Sequence, residues 1–385
     1  MIHWSDGEQS YSAKWHSEHG IAPHKKVVLA DDTLTADIAY RLACEGTAML
    51  YQGDFQNARQ LLQALVRRVD KPSKKSTRVD RLAKEKTKSA LDTFNLHRLA
   101  QSQRARILGM LLIPINADHS ISLRRAPDVA QACLEAYGKQ SEPYVISLRE
   151  LLGVISAHEW RKKGVPVLVR DDEEIRMHPH YGVFSPIRGE YIELVLKAPL
   201  PTAIKQHSIA FDIGVGTGVL AVVLAIRELK KIIGTDQDER AIACAQDNIE
   251  RLGLSSQIEI LKTNLFPTEK AALIICNPPW LPARPSSSLE HAVYDPDSQM
   301  LKGFLHGLKA HLLPNGEGWL ILSDLAEHLG LRTRAELLNW IEVADLKVLA
   351  RLDTKPVHHK VFDKTDALHI ARSKEVTSLW RLAAK

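Results

Sequence analysis

Asn277-Pro278-Pro279-Trp280 follows directly on the apolar run Ala272-Leu273-Ile274-Ile275-Cys276, which places a rigid turn at the exit of a buried strand. Two consecutive prolines fix φ and remove two backbone donors, so the carbonyls of Asn277 and Pro278 are left to accept hydrogen bonds from something else. A planar NH2 group suits them. Asn277 adds its side-chain oxygen, and the indole of Trp280 offers a face on which a base or an amide can stack. The same four residues also make an ordinary Pro-Pro loop with a packing tryptophan, and the upstream sequence decides between the two.

Asp212-Ile213-Gly214-Val215-Gly216-Thr217-Gly218 lies between a strand candidate, Ile209 to Asp212, and a helix candidate, Val219 to Leu229. Glycines let a ligand approach the backbone, and the N-terminus of the following helix favours negative charge. The spacing is not that of a nicotinamide dinucleotide fingerprint, because the third glycine comes one residue early and Val219 holds its place. Asp236 ends the next strand, where a carboxylate can accept hydrogen bonds from both ribose hydroxyls of an adenosine. Asn264, after the third strand, is placed to meet the amine of an adenine edge.

In this order and spacing, Asp212 to Gly218, Asp236 and Asn277 to Trp280 resemble the first, second and fourth motifs of class I S-adenosylmethionine-dependent methyltransferases. The subgroup resembled carries an [N/D/S]PP[Y/F/W] motif and methylates planar nitrogens, either exocyclic amines of nucleic-acid bases or the glutamine amide of release factors. The resemblance covers roughly residues 180 to 345. It implies S-adenosylmethionine as cofactor, held by Asp212, Gly214, Gly216, Gly218, Asp236 and Asn264, with Asn277, Pro278, Pro279 and Trp280 at the reacting nitrogen. Ser185-Pro186-Ile187-Arg188-Gly189-Glu190 resembles the proline-containing segment that precedes the cofactor loop in the glutamine-methylating branch, and departs from it after the proline. Asn264 stands where many relatives have Asp.

The elements that must position these residues follow from apolar patterning. Beyond residue 180, strands alternate with helices: Ile209 to Asp212, Lys231 to Gly234, Ile258 to Leu261, Leu273 to Cys276 and Gly318 to Leu322 are strands, with a helix at Glu239 to Arg251. Leu346 to Leu352 and Val376 to Leu382 add an antiparallel pair at the end. The expected class is α/β, a doubly wound seven-stranded Rossmann-like sheet with ligands at the carboxyl ends of its strands. Residues 1–170 read as a helix-rich amino-terminal domain for substrate recognition, and 171–385 as the methyltransferase domain. Asp31-Asp32-Thr33 is a cap for a helix carrying Leu34, Ile38, Leu42 and Met49, and further helices are expected over Asn57 to Val69, Leu82 to Ile107 and Ser147 to Trp160. Val165 to Val169 reads as a strand.

At 385 residues, 45% hydrophobic and 25% charged, the chain has the composition of a globular protein of two domains. Its start lacks the charged and apolar regions of a signal peptide, and no apolar run reaches a membrane-spanning length, so a cytoplasmic location is expected. Cys44, Cys133, Cys244 and Cys276 have no metal-motif or disulfide spacing and read as packing residues. His178-Pro179-His180 and His358-His359 lack matched partners and read as exposed, so no metal is expected. Tyr294-Asp295-Pro296-Asp297 reads either as the mouth of the substrate site or as a simple turn.

The net charge of +5 is unevenly placed: Arg67 to Arg106 holds thirteen Lys or Arg against four acids. Such clusters gain free energy by releasing counterions from phosphates, and the same pattern also makes a solvated linker. Three functions are therefore weighed. The first is N-methylation of a base in rRNA or tRNA, contacted by the basic segment, the second is methylation of a protein glutamine, and the third is a catalytically silent nucleic-acid-binding module.

Overall fold

The computed structural model describes residues 1–71, 89–170, 173–187, 189–285, 289–357 and 361–385. The chain divides into two compact units, Met1–Glu159 and Trp160–Lys385. The division expected at 170/171 falls between the two strands of one hairpin in the second unit.

The first unit carries β1 (Ile2–Asp6), β2 (Gln9–Trp15), β3 (Val27–Ala30), α1 (Ala36–Cys44), β4 (Ala48–Tyr51), α2 (Phe55–Val69), α3 (Ala90–Leu108), β5 (Leu111–Ile115), α4 (Ala130–Tyr137) and β6 (Tyr144–Ser147), followed by α5 (Leu148–Lys163). Its strands form a six-stranded sheet in the order β1-β2-β6-β5-β4-β3. Helices lie within the expected spans, the part of Leu82 to Ile107 before Ser89 falling outside the described residues, but a helix-rich description omits this sheet. The reason is physical: β4 and β6 are four-residue runs buried at every position, too short to show an alternating pattern. Met49, read as the end of a helical face, belongs to β4. The cap of α1 is Thr35, whose side chain accepts from Ile38 N–H, and not Asp31 to Thr33. Asp32 instead accepts from Tyr51, Asn57 and the backbone of Asp54. Lys74, Lys75, Arg78, Arg81, Lys84, Lys86 and Lys88 of the basic stretch lie outside the described residues.

The second unit opens with the hairpin β7 (Val165–Arg170) and β8 (Glu173–Met177), then α6 (Glu190–Lys197). β9 (Ile209–Ile213), α7 (Val219–Ile226), β10 (Lys231–Asp236), α8 (Glu239–Arg251), β11 (Ile258–Lys262) and β12 (Ala271–Cys276) alternate as expected. α9 (Gln299–His311), β13 (Leu312–Ser323), α10 (Leu325–His328), α11 (Arg334–Val343), β14 (Leu346–Thr354), α12 (His369–Arg372) and β15 (Thr377–Ala384) complete it. The seven-stranded order is β11-β10-β9-β12-β13-β15-β14, parallel except that β15 runs antiparallel to both neighbours.

Strand alternation divides the core into two faces. Leu273 and Ile275 of β12 join α6, α7 and α8 on one side, while Ile274 and Cys276 join α9 and α11 on the other. Every residue of α7 from Val219 to Ala225 is buried, and full burial of each Val or Leu contributes about 1.5–3 kcal/mol. Between β13 and β15, Arg381 holds Glu317 through two bonds of 2.6 and 2.8 Å, and Trp319 donates to the same carboxylate at 3.0 Å. Breaking this half-buried pair would strand a charge in the sheet, so it resists a one-residue slip of β15.

Candidate active site

At the carboxyl end of β9 the chain turns through Gly214, Gly216 and Gly218, at φ of 77°, 52° and 85°. Gly218 ends in the left-handed region directly before α7. At Gly214 a Cβ would lie 2.5 Å from the Met300 methyl, so the flexible end of Met300 would have to give way, and the φ of 77° itself favours glycine. The N–H groups of Gly214 and Val215 both donate to Thr235 O at 2.9 Å, which fastens the turn to β10.

Two carboxylates flank the turn. Asp212 is buried; one oxygen accepts from Ala221 N–H in the first turn of α7 at 2.9 Å, and the other, Oδ1, has no partner among the described residues. Burial first, and then the charge of Asp236, pushes its pKa up to about 8. Asp236 accepts from Gly216 at 3.2 Å, Gln237 at 2.8 Å and Asp238 at 3.0 Å, all backbone N–H groups. Burial raises its pKa although these bonds act to lower it. Asn264 is exposed, and its side-chain oxygen accepts from the Gln237 amide at 3.0 Å.

Cys276 pairs with Ile213 in the parallel register of β12 and β9, so Asn277 leaves the sheet beside the glycine turn. Trp280 donates its indole N–H to Asn277 Oδ1 at 2.9 Å and packs against the cores on both faces of the sheet. The chain then returns on itself: Leu281 N–H donates to Val293 O at 3.1 Å and Asp295 N–H to Leu281 O at 2.9 Å. Asp295 is buried and caps α9 by accepting from Met300 and Leu301 N–H at 3.0 and 3.1 Å. The Tyr294 to Asp297 stretch thus closes the loop and aims Met300 over Gly214. Cys276 is fully buried, and burial holds its thiol well above the ordinary range, as suits a packing residue.

Residues 174–336 match the family model of the methyltransferase small domain. The unit is a class I S-adenosylmethionine-dependent methyltransferase domain. The chain is 31% identical over 176 residues to the release factor glutamine methyltransferase of Cereibacter sphaeroides, covering 42% of this chain and 59% of that protein. It is 35% identical over 125 residues to the release factor glutamine methyltransferase of Gloeobacter violaceus, covering 31% of this chain and 41% of that one. It is 29% identical over 163 residues to a tRNA1(Val) (adenine(37)-N6)-methyltransferase of a Shewanella species, covering 39% and 66%. The chain spans about half the length of the two release-factor enzymes it matches. The cofactor of the methyltransferase domain is S-adenosylmethionine.

Three features of the methyltransferase domain were not visible in its sequence. Asn248 of α8 is fully buried and donates to Thr217 O at 3.1 Å, Cys244 O at 3.0 Å and His178 O at 3.2 Å, while its oxygen accepts from His178 N–H at 2.7 Å. It fastens the glycine turn to the segment before α6. Gln237 bridges from β10 to Asn264. The histidines expected to be exposed are half-buried: His178 Nδ1 donates to Arg161 O at 2.6 Å, and His180 meets Asp247 at 2.7 Å, which also holds Arg161. Their partners lie on distant elements, so local spacing carried no sign of them. His358 and His359 lie outside the described residues. Among the described residues no group of three or more His, Cys, Asp or Glu is arranged to hold a metal ion. No described helix is long and apolar enough to cross a membrane.

Proposed function

We propose that this chain methylates the side-chain amide nitrogen of a protein, a glutamine-type carboxamide. The observation that carries this reading is the setting of Trp280. Its edge is tied to Asn277 and its rings pack on both cores, which favours a small planar guest over a base that needs an open indole face. The names of the two release-factor relatives agree with it.

S-adenosylmethionine, when bound, supplies a methyl group on a sulfonium already activated by its charge. The chain's task is then positioning. In this reading Asp236, with acceptor capacity beyond its three N–H bonds, takes the ribose hydroxyls, and Asn264 with Gln237 faces the adenine edge. The unpartnered Oδ1 of Asp212 would accept from the cofactor's amino group, and the turn through Gly214, Gly216 and Gly218 would hold its methionine part. The side-chain oxygen of Asn277 and the carbonyl of Pro278 would hold the two amide N–H bonds so that the nitrogen lone pair faces the methyl; as the N–C bond formed and the S–CH3 bond broke, a neutral thioether would leave and one of the two amide protons would pass to water. Asn277 Oδ1 keeps one lone pair beside its bond to Trp280. Pro279 stiffens the turn.

A base in tRNA or rRNA is the second reading, favoured by the tRNA-modifying relative and by the basic stretch. Part of that stretch is neutralised within the first unit, where Arg68 pairs with Asp37 at 2.9 Å and Arg104 holds Asp70 at 2.7 and 3.0 Å. Purified protein incubated with labelled S-adenosylmethionine and separated protein and RNA fractions decides between them. Label in protein is expected, and label confined to RNA overturns the reading. A silent binding module predicts no label in either fraction and no effect of Asn277→Ala.

A further inference from the structure

Met300 touches the donor side of the proposed site and is bonded to its acceptor side. It is half-buried in the first turn of α9, and a Cβ at Gly214 would lie 2.5 Å from its methyl and 3.9 Å from its Sδ. One helical turn on, Gly303 lies against the end of Leu265, the residue after Asn264. Thr235 joins the two places, donating its hydroxyl to Leu265 O at 2.6 Å and accepting at its carbonyl from Gly214 N–H at 2.9 Å. The start of α9 thus covers the strand exits that carry Gly214 and Asn264, and Met300 is the part of it that reaches the glycine turn.

The backbone of Met300 is fixed to the acceptor loop. Asp295 accepts from Met300 and Leu301 N–H at 3.0 and 3.1 Å, and its own N–H donates at 2.9 Å to the carbonyl of Leu281, the residue after Trp280. Only Pro296 to Gln299 separate Asp295 from Met300, and within them Asp297 and Ser298 hold φ of 56° and 55°. Left-handed backbone at two successive residues other than glycine costs free energy, which the bonds of Asp295 offset. A short connection held in this way passes a displacement of one end to the other. Methionine is unbranched and flexible, so its side chain can swing aside and then lie along an alkyl chain. The methionine part of S-adenosylmethionine offers such a chain beside the transferable methyl. We propose that Met300 is a cofactor-binding residue that seats this part over Gly214 and passes cofactor occupancy through Asp295 to the acceptor loop, so that the acceptor binds after the donor. This rests on the donor lying at the glycine turn, as proposed above, and is independent of which amine is methylated.

The test uses the full chain and reads binding and backbone exchange, without turnover. In calorimetry with S-adenosylmethionine, Met300→Ala should raise Kd about fivefold or more through lost apolar contact, while Met300→Leu, which keeps the volume, stays within about threefold. Saturating S-adenosylmethionine should slow amide hydrogen exchange at Leu281 and Asp295, whose N–H groups close the loop, in the wild type and Met300→Leu but not in Met300→Ala. A smaller rise in Kd for Met300→Ala, or equal slowing at Leu281 and Asp295 in that variant, overturns the inference. Asp236→Ala tests the placement of the donor separately. A Kd raised by Asp236→Ala but not by Met300→Ala removes only the role of Met300, whereas a Kd that ignores both substitutions overturns the placement as well.

Discussion

Asn277 and Asp212 differ in what their substitution should reveal. Asn277→Ala removes one acceptor from the guest nitrogen and the anchor of Trp280, so kcat should fall on the order of 100-fold, with the Kd for S-adenosylmethionine measured by calorimetry unchanged. Asp212 carries a carboxyl whose folded pKa is about 8, against an ordinary value of 3.8. A raised carboxyl favours the protonated folded state, so its cost to stability is absent below the ordinary value, grows as pH rises, and is complete above the folded value. The Tm of Asp212→Asn should therefore gain on the wild type between about pH 4 and pH 8, while the variant binds the cofactor more weakly. Melting curves across that range check the sign, and a gain confined to acid pH would refute it. The places of Asp212, Asp236 and Asn277 at strand ends were legible from the apolar runs beside them. The place of Asn248 was not, because its partners Thr217 and His178 are remote in the chain.

The strands of the second unit could be read because long buried runs such as Ala271–Cys276 alternate with helices of clear period. In the first unit the helices showed through, while the short strands between them merged with their apolar faces. The glycine turn was recognisable by composition, but its fastening came from α8 and α9. Gly214→Ala places a Cβ at a left-handed φ and displaces the flexible end of Met300; the backbone should cost roughly 1–2 kcal/mol, and cofactor binding should weaken. Asn248→Ala removes the side-chain donor to Thr217 O and His178 O and the acceptor of His178 N–H, while Cys244 O keeps its helical partner, and should lower stability by about 2–3 kcal/mol in urea unfolding. A loss below 1 kcal/mol, roughly that of an ordinary surface change, would mean water replaces the amide.

The methyltransferase domain draws both of its cores from residues 167–382. Residues 160–385 expressed alone should therefore fold and bind S-adenosylmethionine within about twofold of the full chain. Markedly weaker binding would refute this. The seven tryptophans of the chain give the molecule an optical signal, and Trp280 is the one joined to Asn277. Its N–H shares the amide oxygen that an incoming acceptor would approach, so occupancy of the site should change the polarity felt by the excited indole. With Trp280→Phe as the blank, the difference in emission would report acceptor arrival before any methyl moves, and stopped-flow mixing could time that step apart from chemistry.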